Sequence, residues 1–247
     1  MSAQREKLPV AVLGATGAVG QTFVRLLDGH PWLTLVEVAA SERTAGRRYA
    51  DGVRWLGGGV PPFAADLPVL ACDPAEVTAR LVFSALDASV AREVEGAFAA
   101  AGKLVLSNAR SYRMDPDVPL LIPEVNADHI ALLERQRALR GWEGGIVTNA
   151  NCAAIVIVMA LAPLHAAFGV RKVFVTTMQA ISGAGYPGVP SLDILGNVIP
   201  YIANEEEKIE SETAKMLGSL DGDTVRPAPL VVSAQANRVP VEHGHTA

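Results

Sequence analysis

The first half of the chain alternates short β-branched runs with longer Ala- and Leu-rich stretches whose apolar residues recur at helical spacing. Short apolar runs are typical of buried strands, and strands that alternate with helices form a parallel sheet. The predicted strands cover residues 8–13, 34–39, 81–85 and 104–106, and the predicted helices cover residues 20–27, 89–101 and 128–139. We therefore predict an α/β fold in which helices cover both faces of a mostly parallel sheet.

The pattern changes after about residue 149, which indicates a second domain. A long apolar helix is predicted over residues 152–162, a β-rich stretch over 170–181 and a charged helix over 203–217. A loop rich in Gly and Pro lies at residues 182–190, and the chain ends in a strand-like segment. The predicted domains are therefore residues 1–148 and 149–247, the second of α+β character and unfinished at its end.

Composition and charge exclude several classes of protein. Half of the residues are hydrophobic and 19% are charged, which allows a sizeable core and rules out a disordered chain. The net charge of -5 argues against nucleic acid or an anionic membrane as a partner. The most apolar stretch, residues 152–163, is shorter than the ~20 residues that a membrane span needs. Because two cysteines are also too few for a disulfide framework, and no signal peptide is present, we expect a soluble cytoplasmic protein.

A glycine-rich segment joins the first predicted strand to the first predicted helix. Its glycines, Gly14, Gly17 and Gly20, have the spacing of a close variant of the dinucleotide-binding fingerprint. Glycines allow a tight turn and a close approach of the backbone to a pyrophosphate, and the helix start presents N–H groups to that anion. The candidate cofactor-binding residues here are Gly14, Thr16, Gly17, Ala18, Val19 and Gly20. An ordinary tight turn is the alternative interpretation.

The residues after the second predicted strand indicate which dinucleotide binds. An acidic residue there bonds to the ribose hydroxyls of NAD, whereas Arg and hydroxyl groups accommodate the 2′-phosphate of NADP. Glu42 is a mild objection to NADP, but Ser41 and Arg43 favour it, and Thr44 completes the candidate set. We therefore predict NADP, with an ordinary solvated loop arginine as the alternative.

Cys152 lies where a helix is predicted to begin. Asn151 is a good N-cap residue, which places Cys152 in the first helical turn. Because a helix start favours negative charge, we expect the pKa of the Cys152 thiol to be lowered, with a nearby imidazolium adding to the effect. We interpret Cys152 as a nucleophile and Cys72 as a small buried core residue.

Two histidines, His243 and His245, follow Arg238 in the C-terminal segment. No further cluster of metal-ligand residues lies nearby in the sequence, so we predict no metal site. General acid/base catalysis together with Cys152 is the better interpretation, but the spacing leaves open which histidine performs it.

Several segments of the chain match the motifs of one enzyme family. They are GATGAVGQ at residues 14–21, AASERTAG at 39–46, VFSALD at 82–87, SNARSYRMDPDVPLLIPEVN at 107–126, TNANC at 148–152, TMQAISGAGYPG at 177–188, NVIPYIANEEEKIESE at 197–212 and RVPVEHGH at 238–245. In these motifs, which extend over essentially the whole chain, the protein resembles the aspartate-β-semialdehyde dehydrogenase family, in particular its archaeal and fungal-type branch.

The resemblance implies a Rossmann-type NADP-binding domain at residues 1–148. It implies an α+β catalytic and dimerisation domain, like that of glyceraldehyde-3-phosphate dehydrogenase, at residues 149–247. The implied reaction is the NADP-dependent, phosphate-dependent interconversion of L-aspartyl 4-phosphate and L-aspartate 4-semialdehyde, a step towards lysine, threonine and methionine, in a homodimer or homotetramer. By similarity, Cys152 forms a thioacyl intermediate, His245 is the acid/base and Gln179 orients the substrate.

The same resemblance implies a substrate-binding set. Arg238 binds the α-carboxylate, for which a fork of N–H donors is well suited. Glu205 binds the amino group, Arg113 and Lys208 bind the phosphate, and Asn151 completes the set. From the residues alone, the acidic run that contains Glu205 is better interpreted as the solvated start of a helix, where carboxylates favour the dipole. Only the resemblance assigns these roles.

Two features depart from the family pattern. Ala153 stands where the family commonly has Ser after the nucleophile. Family members also continue well beyond the histidine motif, so we expect this chain to be truncated at its C-terminus. Two alternatives stay open: a malonyl-CoA reductase with the same cysteine chemistry, and a catalytically dead NADP-binding fragment. An N-acetyl-glutamyl-phosphate reductase is less favoured, because its characteristic motifs do not occur in this sequence.

Overall fold

The computed structural model describes residues 6–246, without the side chains of residues 245 and 246. The helices are, in chain order, α1 (Ala18–Leu26), α2 (Tyr49–Gly52), α3 (Pro62–Ala65), α4 (Ala88–Ala100), α5 (Pro123–Asn126), α6 (Leu132–Arg140), α7 (Cys152–Phe168), α8 (Ser191–Ile194) and α9 (Glu205–Met216). Short 3-10 helices cover Arg110–Tyr112, Ala127–Ala131 and Ile181–Ala184. The strands are β1 (Leu8–Leu13), β2 (Leu33–Ala40), β3 (Val69–Ala71), β4 (Leu81–Ser84), β5 (Leu104–Ser107), β6 (Gly145–Thr148), β7 (Lys172–Gln179), β8 (Ile199–Pro200), β9 (Ser219–Asp221), β10 (Thr224–Arg226), β11 (Val231–Arg238) and β12 (His245–Thr246).

These elements group into two compact units. The first contains residues 6–112 and 133–148, and the second contains residues 113–132 and 149–246. The segment 113–132, which the sequence analysis placed in the first domain, therefore belongs by its contacts to the second unit. Leu120 of this segment packs in one apolar cluster with Ala154 of α7 and Met216 of α9. Such contacts join residues far apart in the chain, so the pattern along the sequence does not indicate them.

The first unit is built on a six-stranded parallel sheet with the strand order β3-β2-β1-β4-β5-β6. This is the order of doubly wound dinucleotide-binding folds, in which the ligand lies where the order reverses, beside β1. The fully buried residues Val10, Val12 and Val38 belong to the apolar runs that predicted β1 and β2. The α/β prediction is thus confirmed, although β3 and β6 were not among the predicted strands.

Two predicted helices differ from the structure. The predicted helix at residues 128–139 is divided into the 3-10 helix Ala127–Ala131 and α6. Helix α7 runs past residue 162, where the prediction ended it, continues through Pro163 and stops before Gly169, which has a φ of 65°. A proline within a helix removes one backbone hydrogen bond, but here a left-handed glycine marks the actual end.

The second unit contains a mixed sheet with the strand order β12-β7-β11-β8. Its central strands β7 and β11 are parallel, whereas β12 and β8 pair antiparallel with them at the edges. Ala153 and Ile157 of α7, Ile209 of α9 and Val232 of β11 form one apolar cluster, so both helices pack against this sheet. This packing brings the start of α7 next to α9. Among the residues that the structure describes, no helix is both long and apolar enough to cross a membrane.

Candidate active site

The glycine-rich segment forms a tight turn between β1 and α1, where the strand order of the first sheet reverses. Gly14 has a φ of 70°, and a Cβ at this position would lie 2.7 Å from the carbonyl oxygen of Ala85. A Cβ on Gly20 would lie 2.2 Å from the carbonyl oxygen of Gly14. Gly17, the N-cap residue of α1, has no side chain with which to cap the helix. Glycine is therefore required for the close packing of this turn, and the N–H groups at the start of α1, which no side chain caps, can bind an anion such as the pyrophosphate of a dinucleotide. The other predicted residues lie in this turn (Thr16) or in the first turn of α1 (Ala18 and Val19).

The second predicted cofactor segment forms a turn directly after β2. The carbonyl oxygen of Ser41 accepts hydrogen bonds from the backbone N–H of Thr44 at 2.9 Å and from its hydroxyl at 3.2 Å. The side chains of Ser41 and Arg43 are exposed. Because β2 is the neighbour of β1, this turn lies at the same edge of the sheet as the glycine-rich turn. A guanidinium with adjacent hydroxyl groups at this edge can contact a phosphate on the ribose.

Cys152 is the first residue of α7, and Asn151 is its N-cap, as the sequence predicts. The Oδ1 atom of Asn151 accepts hydrogen bonds from the backbone N–H groups of Ala153 at 3.0 Å and Ala154 at 3.1 Å. Cys152 is exposed, whereas Cys72, which was interpreted as a buried core residue, is only half-buried. The cap thus places Cys152 at the start of a helix, with part of the residue in contact with solvent.

The predicted direction of the Cys152 pKa shift is wrong. Loss of water around the sulfur and the nearby negative charge of Glu205 raise the pKa of the thiol. The backbone N–H groups of Ala153 and Cys152 and the charge of Arg113 oppose this rise without cancelling it. The helix start therefore lowers the pKa as expected, but the loss of water, together with the charge of Glu205, outweighs it.

Glu205, the first residue of α9, is the centre of a buried polar network. Its carboxylate accepts hydrogen bonds from Nδ2 of Asn151 at 2.6 Å and from Nζ of Lys208 at 3.0 Å. Burial alone would raise the pKa of Glu205, but the bonds from Asn151, Lys208 and Gln179 hold the pKa below its usual value. The carboxylate is therefore ionised although it is buried, and its burial disagrees with the interpretation of Glu205 as part of a solvated helix start.

Gln179 and Arg238 end the two parallel strands of the second sheet and are partners in its register. Both side chains are buried; Gln179 donates to the hydroxyl of Thr177 at 3.2 Å, and Arg238 donates to the carbonyl oxygen of Ala180 at 2.7 Å. Burial lowers the pKa of Arg238, while the charges of Glu205 and the Cys152 thiolate favour the guanidinium cation. Both predicted residues therefore lie beside the network around Cys152.

Two functional candidates on α9, Glu212 and Lys215, were missed by the sequence analysis. Glu212 accepts from Nη1 of Arg113 at 3.0 Å and from the backbone N–H of Asn151 at 2.5 Å. The ammonium group of Lys215 donates to the backbone carbonyl oxygens of Arg113, Asp115 and Val118. Their spacing from Glu205, seven and ten residues, places all three on one face of α9 and was the available signal.

The predicted acid/base, His245, lies in β12, where its backbone is in register with Gln179 of β7. The side chain of His245 lies outside the described part of the structure, so its role stays a prediction. His243 is exposed and pairs with the neighbouring Glu242, with Nε2 3.3 Å from Oε1. In the described part of the chain, His, Cys, Asp and Glu side chains form no group of three suited to a metal ion.

The second unit thus assembles one polar site around Cys152. The predicted residues it brings together are Asn151, Gln179, Glu205, Lys208, Arg113 and Arg238. The site offers guanidinium and ammonium groups for anions, a carboxylate for a cation and a thiol for covalent chemistry. Such a set suits a small substrate that carries charges of both signs.

Comparison with known proteins agrees with this geometry. Residues 9–133 match the family model "Semialdehyde dehydrogenase, NAD binding domain", and residues 161–247 match "Semialdehyde dehydrogenase, dimerisation domain". The chain is 53% identical over 238 residues to an aspartate-semialdehyde dehydrogenase of Archaeoglobus fulgidus, with 96% of this chain and 69% of the relative covered. It is 49% identical over 242 residues to the enzyme of that name from Trichophyton rubrum, with 95% and 67% covered.

A solved structure resembles the fold over nearly the same length. It is the crystal structure of aspartate semialdehyde dehydrogenase with NADP from Candida albicans, with a TM-score of 0.87 and 41% identity. The match covers 97% of this chain and 70% of that one. The resemblance inferred from the motifs is therefore confirmed, and the chain belongs to the aspartate-semialdehyde dehydrogenase family of oxidoreductases.

Proposed function

We propose that the chain catalyses the NADP-dependent, phosphate-dependent interconversion of L-aspartyl 4-phosphate and L-aspartate 4-semialdehyde through a thioacyl intermediate on Cys152. The observation that carries the proposal is the grouping of Glu205, Arg238 and Arg113 around a single cysteine at a helix start. A substrate with an α-carboxylate, an α-ammonium and a phosphoryl group needs binding groups of both signs in one site. The names of the archaeal and fungal relatives point to the same substrate.

The cysteine performs the covalent chemistry. In the direction of oxidation, Sγ of Cys152 bonds to the aldehyde carbon, and the aldehyde oxygen takes up a proton. NADP, when bound, accepts the hydride that leaves this carbon. As the hydride leaves, the same oxygen releases its proton and a thioester remains on Cys152. Inorganic phosphate then attacks the thioester carbon, aspartyl phosphate leaves, and the thiolate is regenerated.

The acid/base role falls to His245. Because lost hydration and the charge of Glu205 raise the pKa of the Cys152 thiol, the thiol needs a base before it can attack. His245 is a candidate because its backbone is in register with Gln179, which bonds to Glu205 next to Cys152. An imidazole there can take the thiol proton and return it to the aldehyde oxygen.

Each charged side chain of the site binds a different charged group of the substrate. Arg238 binds the α-carboxylate, and the ionised Glu205 binds the α-ammonium, for which its lowered pKa is the supporting observation. Arg113 and Lys208 bind the phosphate, and each is now held by a carboxylate, Glu212 and Glu205 respectively. Gln179 orients the reacting group, and Asn151, besides capping α7, lies against the same substrate.

NADP is the proposed cofactor of the first unit. The residues that would hold the pyrophosphate are Gly14, Thr16, Gly17, Ala18, Val19 and Gly20, and those that would hold the 2′-phosphate are Ser41, Arg43 and Thr44. The NADP in the Candida albicans structure supports this choice. The test is Arg43→Ala with Arg47→Ala, an exposed arginine of the next turn, as the matched control. Titration calorimetry should show that only the first variant weakens NADP more than NAD, and an equal loss of both would contradict the assignment.

The functional division of the chain and its assembly belong to the same proposal. Residues 1–148 bind NADP, and residues 149–247 carry catalysis and self-association as a homodimer. The match of residues 161–247 to a dimerisation-domain model supports the dimer. The reaction would supply aspartate semialdehyde for the biosynthesis of lysine, threonine and methionine.

The decisive experiment measures NADPH formation from aspartate semialdehyde, NADP and inorganic phosphate. Turnover should require phosphate and should be abolished by Cys152→Ser, while NADPH affinity stays close to that of the unmodified protein. Cys72→Ser makes the same chemical change at the other cysteine and should retain turnover. Turnover that survives in Cys152→Ser, or reduction of malonyl-CoA without oxidation of aspartate semialdehyde, would refute the proposal.

A further inference from the structure

Glu212 is a buried carboxylate that the proposed chemistry does not use. It lies on α9, two turns after Glu205, and is 2% exposed. Its two oxygens have different partners: Oε1 accepts from Nη1 of Arg113 at 3.0 Å, and Oε2 accepts from the backbone N–H of Asn151 at 2.5 Å. A single side chain therefore connects the proposed phosphate-binding arginine to the residue before the nucleophile Cys152.

The arginine is held from its backbone as well as from its guanidinium. Lys215, one turn after Glu212, donates to the carbonyl oxygens of Arg113 at 2.6 Å, Asp115 at 2.8 Å and Val118 at 3.0 Å. These three bonds hold the segment 113–118 against α9. The backbone of Arg113 is therefore fixed. Its guanidinium forms an ion pair with Glu212 in which the Arg113 side chain is 10% exposed and the Glu212 side chain 3%.

The nucleophile is held through Asn151. The side chain of Asn151 caps α7 and donates to Glu205, while its backbone N–H donates to Glu212. Two carboxylates of α9, two turns apart, thus restrain the main chain and the side chain of the residue that precedes Cys152. A carboxylate accepts at both oxygens, whereas an amide at position 212 would accept at one atom and donate at the other.

We propose that Glu212 is a positioning residue that holds the guanidinium of Arg113 at a fixed place relative to Cys152, so that inorganic phosphate binds next to the thioacyl carbon. The proposal rests on the proposed function, because it takes Arg113 as a phosphate ligand. Glu212 touches neither substrate nor cofactor in this scheme and acts through Arg113. The positive charge of Arg113 acts to lower the pKa of the Cys152 thiol, so Arg113 lies close enough to the sulfur to bind a phosphate beside it.

The test uses inorganic phosphate as the probe and alkylation of Cys152 by iodoacetamide as the readout. In the unmodified protein, bound phosphate should slow alkylation. Glu212→Gln keeps the size of the side chain, and its amide oxygen can still accept from the N–H of Asn151. Its NH₂ group then faces the guanidinium of Arg113, where donor meets donor. The phosphate concentration that gives half-protection should then rise by about tenfold or more. This is the loss of affinity expected when one buried hydrogen bond to a charged group is removed. Glu207→Gln, the same change at an exposed position of α9, should leave it unchanged.

Steady-state kinetics and a double variant separate positioning from a purely structural role. Glu212→Gln should raise the KM for phosphate by the same factor while the KM for aspartate semialdehyde changes little. If Glu212 acts through Arg113, adding Glu212→Gln to Arg113→Gln should change half-protection by less than about twofold. If Glu212→Gln does not fold, Glu212→Asp serves instead, since its shorter side chain cannot span both partners and should give the same shift.

The outcomes are distinguishable from failure of the proposed function. An unchanged half-protecting concentration in the Glu212 variants, or an equal further loss in the Arg113→Gln background, would overturn the inference. Absence of phosphate protection in the unmodified protein would overturn it too. Protection that depends on Glu212, in a protein that does not oxidise aspartate semialdehyde, would refute the proposed function and leave the positioning role in place.

Discussion

Asn151 allows the sharpest test of how the site is built, because one side chain makes two separable contributions. Its Oδ1 atom caps α7 through the N–H groups of Ala153 and Ala154. Its Nδ2 atom donates to the buried carboxylate of Glu205 at 2.6 Å. Asn151→Ala removes both contributions, whereas Asn151→Ser keeps a side-chain oxygen that can cap the helix and loses only the donor to Glu205.

The magnitudes follow from the two sets of bonds. Loss of a helix cap costs about 1 kcal/mol. Loss of a buried hydrogen bond to a charged group costs about 1.5–3 kcal/mol. Asn151→Ala should therefore lower the free energy of unfolding by about 2.5–4 kcal/mol, and Asn151→Ser by about 1.5–3 kcal/mol.

Urea denaturation, followed by circular dichroism, measures both variants against the unmodified protein. The Ser variant should lie between the other two, about 1 kcal/mol more stable than the Ala variant. Equal stabilities for the Ser and Ala variants would show that the cap contributes nothing. A Ser variant as stable as the unmodified protein would refute the contribution assigned to the Glu205 bond.

Three further predictions concern the electrostatics, the turn and the core of the site. Glu205→Gln removes a charge that raises the pKa of the Cys152 thiol. The pH at which alkylation reaches half its maximal rate should therefore shift downward, even as turnover collapses. An unchanged midpoint pH would exclude that charge as a cause. Gly20→Ala places a Cβ 2.2 Å from a carbonyl oxygen and should lower stability by about 1–3 kcal/mol and abolish NADP binding. Gly17→Ala, whose Cβ would meet its nearest atom at 3.4 Å, should fold with nearly unchanged Tm, and equal losses in both variants would contradict the steric argument. Lys215→Met removes the donor to three carbonyl oxygens and should cost about 2–4 kcal/mol in urea denaturation; a cost below 1 kcal/mol would show that water replaces the ammonium group.

Local signals predicted much of the fold and the frame of the site. The bounds predicted for β1 are those of the structure, because six apolar residues bounded by a polar segment and a glycine turn leave little ambiguity. The start of α7 is also correct, since Asn151 before an apolar run is a local capping signal. The three-residue strand β3 was missed, because so short a run has no detectable period and no helix was predicted next to it to indicate strand–helix alternation.

Contacts between distant residues account for the errors. The pKa of the Cys152 thiol shifts opposite to the expected direction because packing removes water from around the sulfur and because Glu205, on another helix, adds a negative charge nearby. The segment 113–132 belongs to the second unit because Lys215 and the apolar cluster of α7 and α9 hold it there. Neither effect leaves a trace in the residues immediately around Cys152 or Arg113.

The sequence by itself determined the features that depend on neighbours in the chain: the alternation of strands and helices, the glycine turn before α1 and the cap before Cys152. It also determined family membership, through motifs spread over the whole chain. Only the tertiary structure decided that Glu205 is ionised, that the thiol pKa is raised, and that Glu212 joins Arg113 to Asn151. The physical reason is that charge and hydration depend on distance in space, and the packing of α7 and α9 on one sheet sets those distances.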